Sequence, residues 1–390
     1  MIKVLHAFIW FSISKGGGTC DLMYKLAKAQ EKRDDLKPMI YSSNEYFDQN
    51  LKNNLKNTVF ILSNKLVNLF NLNLNSPSFK KIFTNKPDVI HMHLYRSLQN
   101  VFLYIYCRVT KTPYIMDAHG SVPYWGRGIY KKKFFDFIIG KKIMLNAQAW
   151  IAESKVGVQE YIEYFPELTR KHIDLISPPF GIEEFLNLPN VSRNIFCEKY
   201  NLSKDKKIIS FLGRLHQEKG IDFLLRGISK LKKNNIHVEC LLVGPDDGHQ
   251  DNLQKLAKEL FIDKHVHFVG FKSGDSKNEI LQNSDIVVQL SRFEQGAWAP
   301  IEGLLCGTPI LVTRDTGSGE DVKRLDAGYL VAYDDTDEFF AQVNYIFSNY
   351  EEALEKTNKA KEYIINNLSM EARMNEYVEL YKRCLKGNLV

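Results

Sequence analysis

Short apolar runs alternate with longer stretches of helical periodicity along most of the chain. Runs such as residues 89–93 and 286–290 are short and rich in β-branched residues, which is typical of buried parallel strands. Alternation of such strands with helices predicts an α/β protein built from doubly wound, Rossmann-like sheets. Residues 44–85 give no clear register apart from one short apolar run. The predicted strands cover residues 4–11, 38–42, 59–62, 89–93, 114–118, 149–153, 207–212, 238–243, 266–269, 286–290 and 310–312.

This alternation is interrupted near residue 180. Pro178, Pro179 and Pro189 fall within a polar stretch there, and segments of that composition mark crossings between domains. A chain of 390 residues is long enough for two or three domains of roughly 150 residues each. We therefore predict one Rossmann-like domain over 1–183, a second over 184–368, and a final amphipathic helix within 369–390.

The most informative stretch is residues 291–313, S-R-F-E-Q-G-A-W-A-P-I-E-G-L-L-C-G-T-P-I-L-V-T. Pro300 suits the first turn of a helix and Gly307 the position after its end, so a loop and a short helix are predicted between two strands. Ligands of open α/β sheets bind at such a loop. Glu294 in the loop and Glu302 in the first helical turn could both accept hydrogen bonds from one polyol ligand. The alternative is two unrelated acids, one of which interacts favourably with the helix dipole.

A second strand–loop–helix turn, G-R-L-H-Q-E-K-G, spans residues 213–220. It follows the strand predicted over 207–212 and places Arg214 and Lys219 at the end of that strand. Two cations at this point suit a diphosphate ligand. Ordinary surface charge is the alternative interpretation.

A glycine triplet, Gly16, Gly17 and Gly18, follows the first predicted strand. A glycine-rich turn between a strand and a helix lets the backbone approach a phosphate closely. The G-x-G-x-x-G spacing of nicotinamide and flavin sites is missing, and a simple flexible turn would produce the same triplet.

Histidines end two of the predicted strands. The sequence D-A-H-G over 117–120 places His119 at a carboxyl end, with Asp117 as an orienting partner. We interpret His91 and His6 as structural residues, because a single histidine at such a position is more often structural than catalytic.

Together these motifs resemble those of the retaining glycosyltransferases of family 4, which have the GT-B fold of two Rossmann-like domains facing a cleft. The resemblance implies a nucleotide-sugar site in the second domain and an acceptor site in the first. It implies that Glu294 contacts the donor sugar and Glu302 the ribose. It further implies that Arg214 and Lys219 hold the diphosphate, while His119 lies under the sugar.

The resemblance is close but leaves the donor open. The family usually has Gly after the first glutamate and Ala after the second, whereas this chain has Gln295 and Gly303. The implied catalytic residues are His119, Arg214, Lys219 and Glu294. The implied substrate-binding residues are Gly16, Gly17, Gly18, Gly244, Gly270, Phe271, Gly296, Ala297, Trp298 and Glu302.

Charge is unevenly distributed within the net +6. Residues 1–184 contain 25 Lys and Arg against 16 Asp and Glu, and the remainder contains 27 against 30, so the first half should meet an anionic partner. No nucleic-acid-binding motif is present.

Residues 130–144, from Tyr130 to Met144, combine five lysines with aromatic and aliphatic bulk. They suit an interfacial helix on anionic lipid, or equally a core-facing helix with solvated lysines; the many family members that build lipid-linked glycans favour membrane contact.

Other features exclude classes of protein. The six cysteines are scattered and the chain lacks a long apolar run, so we expect reduced thiols, no secretory signal, no membrane span and a cytoplasmic protein. The D-x-D sequence Asp335-Thr336-Asp337 is better explained as a helix N-cap than as a metal site. No metal and no cofactor are therefore predicted, the nucleotide-sugar being a co-substrate.

The resulting prediction is a hexosyltransferase that uses a UDP- or GDP-hexose and retains the anomeric configuration. A lipid-linked glycan is the expected acceptor, in the synthesis of a surface polysaccharide or glycolipid, with the enzyme at the inner face of the cell membrane. Two alternatives remain open at this point: a nucleotide-sugar epimerase, which needs no acceptor, and a non-catalytic glycan-binding subunit of a transferase.

Overall fold

The protein is described by a computed structural model covering residues 1–63, 77–124, 128–189, 191–294, 296 and 298–387. The chain divides into two compact units. The first is Met1–Phe180 with Leu368–Val390, and the second is Gly181–Asn367. The sequence placed the divisions at 183/184 and 368/369, within a few residues of these bounds.

The first unit contains a seven-stranded sheet in the order β3-β2-β1-β4-β5-β6-β7. Every pair in it is parallel, so all the strands end at one edge. The strands are β1 Ile2–Trp10, β2 Leu36–Ser43, β3 Val59–Ser63, β4 Val89–His93, β5 Tyr114–Asp117, β6 Ala149–Ala152 and β7 Ile173–Leu175. The helices are α1 Ile13–Gln30, α2 Gln49–Asn53, α3 Pro77–Asn85, α4 Leu98–Thr110, α5 Ile129–Phe135, α6 Lys141–Leu145 and α7 Lys155–Tyr164, with a π-helical turn, Asp136–Gly140, between α5 and α6.

The second unit contains a six-stranded sheet in the order β10-β9-β8-β11-β12-β13, also parallel throughout. Its strands are β8 Lys207–Leu212, β9 Val238–Val243, β10 Val266–Gly270, β11 Ile286–Gln289, β12 Ile310–Thr313 and β13 Tyr329–Val331. Its helices are α8 Glu183–Leu186, α9 Arg193–Tyr200, α10 Ile221–Lys233, α11 Gln250–Glu259, α12 Asp275–Asn283, α13 Trp298–Leu305, α14 Gly317–Leu325, α15 Thr336–Ser348 and α16 Tyr350–Asn367.

The chain returns to the first unit through α17, Met370–Lys386. The Phe180 amide donates to the Leu368 carbonyl at 2.8 Å, and the Met370 amide donates to the Phe180 carbonyl at 2.9 Å. Helix α17 lies against α1 and β4 and buries its apolar face, including Tyr377 and Tyr381. This burial stabilises the returning segment through removal of apolar surface from water.

The central strands are hydrophobic on both faces because helices cover both sides of each sheet. All residues of β4, β9, β11 and β12 are buried, as continuous apolar runs in parallel sheets require. The predicted fold of two doubly wound α/β sheets is thereby confirmed. Among the described residues, no helix is both long enough and apolar enough to span a bilayer.

Three local predictions differ from the structure. Helix α13 begins at Trp298, so Glu302 lies in its second turn and not its first. The glycine triplet lies inside α1, which breaks at Gly17 (φ 58°, ψ −145°), and is not a loop before the helix. Strands β7 and β13 were not predicted, because three-residue strands have too few positions to show a period.

The D-x-D sequence is an N-cap, as predicted. Asp335 caps α15, and its carboxylate accepts hydrogen bonds from the Asp337 and Glu338 amides at 3.0 and 2.9 Å.

Candidate active site

A cation and a carboxylate from the two main motifs of the second unit meet directly. Lys219 Nζ lies 2.5 Å from Glu294 Oε2, although 75 residues separate them in sequence. Both side chains are less than one-fifth exposed. The Ser291 hydroxyl donates to the same carboxylate oxygen at 3.2 Å. Lys219 and Ser291 thus hold the Glu294 carboxylate in the loop after β11, and it keeps accepting capacity for further hydroxyl donors.

The backbones of these two motifs are interlocked. The Arg292 amide donates to the Glu218 carbonyl at 2.9 Å. At Gly220, where φ is +64°, a β-carbon would lie 1.9 Å from the Leu290 carbonyl oxygen. Only glycine permits this close approach in a left-handed conformation. The approach is what brings Lys219 to Glu294.

The N-terminus of α14 joins the same loop. The Gly317 amide donates to the Glu294 carbonyl at 2.7 Å, and Thr316 caps the helix by accepting from the Gly319 amide. The Ser318 hydroxyl is buried and has no partner among the described residues. A helix N-terminus with an unsatisfied hydroxyl favours an anion.

The ends of β8, β9 and β10 are joined through glycines. The Gly213 amide donates to the Val243 carbonyl at 2.9 Å, and the Gly244 amide to the Gly270 carbonyl at 3.0 Å. A β-carbon on Gly244 would lie 1.8 Å from the Gly213 carbonyl oxygen. Arg214 follows this junction, about half exposed, and forms an ion pair with Asp247. Asp247 was not identified from the sequence.

A second cation–carboxylate pair involves a lysine that the sequence analysis missed. Lys277, in the first turn of α12, lies 2.6 Å from Glu302 Oε1 of α13, and both side chains are largely buried. The Lys277 ammonium also lies 5.6 Å from the centre of the Phe185 ring. Nothing in the sequence around Lys277 distinguishes it from its neighbours, so only the packing of α12 against α13 reveals the pair.

The other predicted residues of this unit lie near the same strand ends. Phe271 follows β10 and is partly exposed. Gly296 is half-buried and Trp298 begins α13. Ala297 lies outside the described residues.

In the first unit, His119 lies at the end of β5 in a left-handed conformation (φ 45°), which is uncommon for a residue with a side chain and is frequent at functional sites. Its Nδ1 lies 2.7 Å from Glu153 Oε1 and 3.4 Å from Asp117 Oδ1. Its Nε2 lies 2.9 Å from His93 Nδ1. Both ring nitrogens therefore contact protein groups, and Glu153 is a partner that the sequence did not reveal.

These acids determine the charge of His119. Burial lowers the pKa of His119, but Asp117 and Glu153 outweigh burial and raise it above its ordinary value. Burial raises the pKa of Asp117 to about 6. The arrangement therefore favours the protonated form of the His119 ring.

The glycine triplet of α1 allows tight packing at one position and backbone freedom at the next. A β-carbon on Gly16 would lie 2.6 Å from the Phe8 ring, whereas one on Gly17 would meet open space. Gly17 nevertheless has a φ of +58°, so the break in α1 depends on glycine. Gly18 is exposed.

Two parallel Rossmann-like sheets are also the architecture of solved glycosyltransferases of the GT-B fold. Residues 192–366 match the family described as glycosyl transferases group 1. This match supports the predicted resemblance to group 1 glycosyltransferases, whereas retention and membership of family 4 stay predictions.

Several known proteins are similar to this chain. It is 27% identical over 300 residues to an uncharacterised glycosyltransferase of Methanocaldococcus jannaschii, covering 76% of both chains. It is 24% identical over 304 residues to the D-inositol 3-phosphate glycosyltransferase of Corynebacterium urealyticum, covering 76% of this chain and 71% of that one. The crystal structure of Anabaena HepE in complex with UDP and glucose superimposes with a TM-score of 0.78 at 17% identity, covering 98% of this chain and 100% of that one.

Proposed function

We propose that the protein is a retaining hexosyltransferase that moves a sugar from a UDP- or GDP-hexose to a lipid-linked glycan, in surface polysaccharide or glycolipid synthesis. The observation that carries the proposal is the Lys219–Glu294 pair at 2.5 Å, which joins a phosphate-binding cation to a hydroxyl-binding carboxylate. A nucleotide-sugar donor is supported by Anabaena HepE, which was also solved with UDP-glucose.

In the proposed reaction, the acceptor hydroxyl attacks the anomeric carbon from the face that the diphosphate leaves. A new carbon–oxygen bond forms, the bond from that carbon to the diphosphate oxygen breaks, and the acceptor proton passes to the departing phosphate. Arg214 and Lys219 stabilise the growing negative charge. Glu294 orients the sugar hydroxyls, and Glu302 accepts from the ribose. His119 is proposed to contribute positive charge to the transition state. A covalent sugar adduct on a carboxylate of the protein would contradict this pathway.

Glu302→Ala is expected to abolish stabilisation by nucleotides. A ligand at a hundredfold excess over its Kd raises the free energy of unfolding by about 2.7 kcal/mol, and the wild type should show this with one family of nucleoside diphosphates. Thermal unfolding with UDP, GDP and their hexose conjugates measures it. The quantity compared is the ligand-induced difference in unfolding temperature, because Glu302→Ala also removes the ion pair with Lys277.

The matched control is Glu198→Ala, which breaks an exposed ion pair with Lys204 and should leave the nucleotide response intact. Turnover of the nucleotide-sugar donor in the presence of lipid extract then tests the transferase assignment. Conversion of the donor into an epimeric nucleotide-sugar without any acceptor would instead establish an epimerase. If no nucleotide shifts the wild type, the non-catalytic subunit is the correct interpretation.

We also propose that α5, the π-helical turn and α6 bind an anionic bilayer. Tyr130, Phe134 and Phe137 are 88, 65 and 89% exposed, an unusual exposure for such large apolar side chains. The buried Asp136 anchors the opposite face, 2.7 Å from Arg96. Five lysines flank the exposed rings, and their charge complements anionic headgroups.

Phe134→Ser with Phe137→Ser is expected to weaken binding to phosphatidylglycerol vesicles by roughly tenfold or more, because each ring removes apolar surface from water at the interface. Co-sedimentation measures it, with phosphatidylcholine vesicles as the neutral comparison. Phe261→Ser is the control, since Phe261 is 79% exposed in the second unit. Equal binding by the wild type, the Phe134→Ser/Phe137→Ser variant and Phe261→Ser would rule out this surface.

A further inference from the structure

A continuous chain of hydrogen bonds runs through the interior of the first unit and ends on α17. It begins at Glu153 and passes through His119, as described above. Its further links are His93 Nε2 to His6 Nδ1 at 3.1 Å, His6 Nε2 to Gln30 Oε1 at 3.0 Å, and Gln30 Nε2 to the Tyr381 hydroxyl at 3.2 Å. His6, Gln30 and Tyr381 are fully buried, and His93 is 1% exposed.

The direction of each bond follows from Gln30. Its Oε1 can only accept, so His6 Nε2 must donate to it. Burial lowers the pKa of His6 to about 3, so its ring is neutral and carries that one proton. His6 Nδ1 is therefore an acceptor, and His93 Nε2 donates to it.

The same reasoning continues to His119. Burial lowers the pKa of His93 well below its ordinary value, so the His93 ring is also neutral. Because its proton is on Nε2, its Nδ1 accepts from His119 Nε2. On the other side of the ring, His119 Nδ1 donates to the Glu153 carboxylate. His119 consequently holds a proton on both nitrogens.

Gln30 orients a second branch in the same way. Its Nε2 donates to the Tyr381 hydroxyl, which is then free to donate to His91 Nδ1 at 3.3 Å. His91 Nε2 donates in turn to Asp117 Oδ2 at 3.4 Å. Every ring nitrogen of His6, His91 and His93 thereby has a protein partner of the correct polarity, although these rings come within metal-binding distance of one another.

We propose that Gln30 is a positioning residue that sets the polarity of this chain and, through His6 and His93, keeps His119 doubly protonated at the end of β5. The proposal deepens the proposed function, since it rests on His119 contributing charge to sugar transfer. If Gln30 lost its accepting oxygen, the direction of these hydrogen bonds could reverse. His93 would then donate to His119 Nε2, and the charge at His119 would be lost.

The groups facing His119 come from four elements. They are Asp117 of β5, Glu153 after β6, His93 and His91 of β4, and Tyr161 of α7, whose hydroxyl accepts from the Ala118 amide. The two carboxylates alone favour the charged ring, and Gln30 adds a fixed acceptor at the far end of the chain. The raised pKa of His119 means that its charge is present below that pKa and disappears as pH rises through it.

The test is ¹⁵N NMR of histidine-labelled full-length protein between pH 5 and 9, with His119 assigned from His119→Asn. In the wild type, both His119 nitrogens should be protonated at pH 7. In Gln30→Met, which keeps the volume but lacks the amide, His119 should hold the Nε2 proton roughly tenfold less tightly. Gln30→Glu restores an acceptor toward His6 and should restore the wild-type signature. Tyr377→Phe, which alters a buried tyrosine of α17 outside this chain of bonds, is the control.

The pH profile of sugar transfer is the second readout. Activity of Gln30→Met should fall at a lower pH than that of the wild type, while Gln30→Glu follows the wild type. A singly protonated His119 in the wild type at pH 7, or unchanged His119 nitrogens in Gln30→Met, would overturn the proposal. If Gln30→Met does not fold, the wild type and Gln30→Glu decide it. A doubly protonated His119 in a protein without transferase activity would refute the proposed function and leave this inference standing.

Discussion

Lys219→Met is expected to lower the rate of sugar transfer roughly 100- to 1,000-fold, the loss typical of removing one donor that stabilises transition-state charge. Lys219 is held at the site by Glu294 in a pair that is less than one-fifth exposed, so water screens its charge poorly. Because negative charge on the diphosphate grows as the sugar leaves, kcat should fall more than KM rises. Steady-state kinetics with the donor identified by thermal unfolding measures both constants.

Two further variants separate loss of the cation from loss of the pair. Lys230→Met removes a lysine of α10 that pairs with the exposed Asp337 and should leave kcat within about twofold. Lys219→Met combined with Glu294→Gln removes the unpaired carboxylate as well. Recovery of kcat in this double variant would show that the defect came from an isolated Glu294, and would contradict a direct role for Lys219.

Gly220→Ala is expected to lower the free energy of unfolding by more than about 3 kcal/mol. The residue is left-handed, and an added β-carbon would lie 1.9 Å from the Leu290 carbonyl oxygen. The carbonyl oxygen that the added β-carbon would meet belongs to the backbone, so no change of rotamer relieves the clash. The two motif loops must therefore separate. Equilibrium unfolding in urea measures the change, and donor turnover should fall with it because Lys219 moves away from Glu294.

Gly307→Ala is the matched comparison. Gly307 has a φ of +84°, but a β-carbon there would meet nothing within 4 Å. Its substitution should therefore show only the intrinsic strain of a left-handed alanine, about 1–2 kcal/mol. Equal losses at the two glycines would mean that the close approach at Gly220 contributes nothing to stability.

Much of this architecture could be predicted from local patterns. Residues 207–212 and 238–243 were predicted as strands and are β8 and β9 to the residue, because buried parallel strands are continuous apolar runs between turns. The loops holding Arg214, Lys219 and Glu294 were recognised for the same reason: strand, turn residues and helix start are adjacent in sequence. Some errors concerned features with little local signal, such as β7, β13 and the exact start of α13. The prediction for the glycine triplet was wrong for another reason, because its turn-like composition lies inside α1.

The sequence by itself determined the fold class, the resemblance to group 1 glycosyltransferases and the loops on which the charged residues lie, since periodicity and turn chemistry act over a few residues. Only the tertiary structure decided which charges meet. Lys219 and Glu294 are 75 residues apart, Lys277 and Glu302 are 25 apart, and Gln30 and Tyr381 are 351 apart. Such pairings depend on strand order and helix packing, in which many residues act together. For that reason Lys277, Glu153 and the histidine chain behind His119 became visible only when the sheets were assembled.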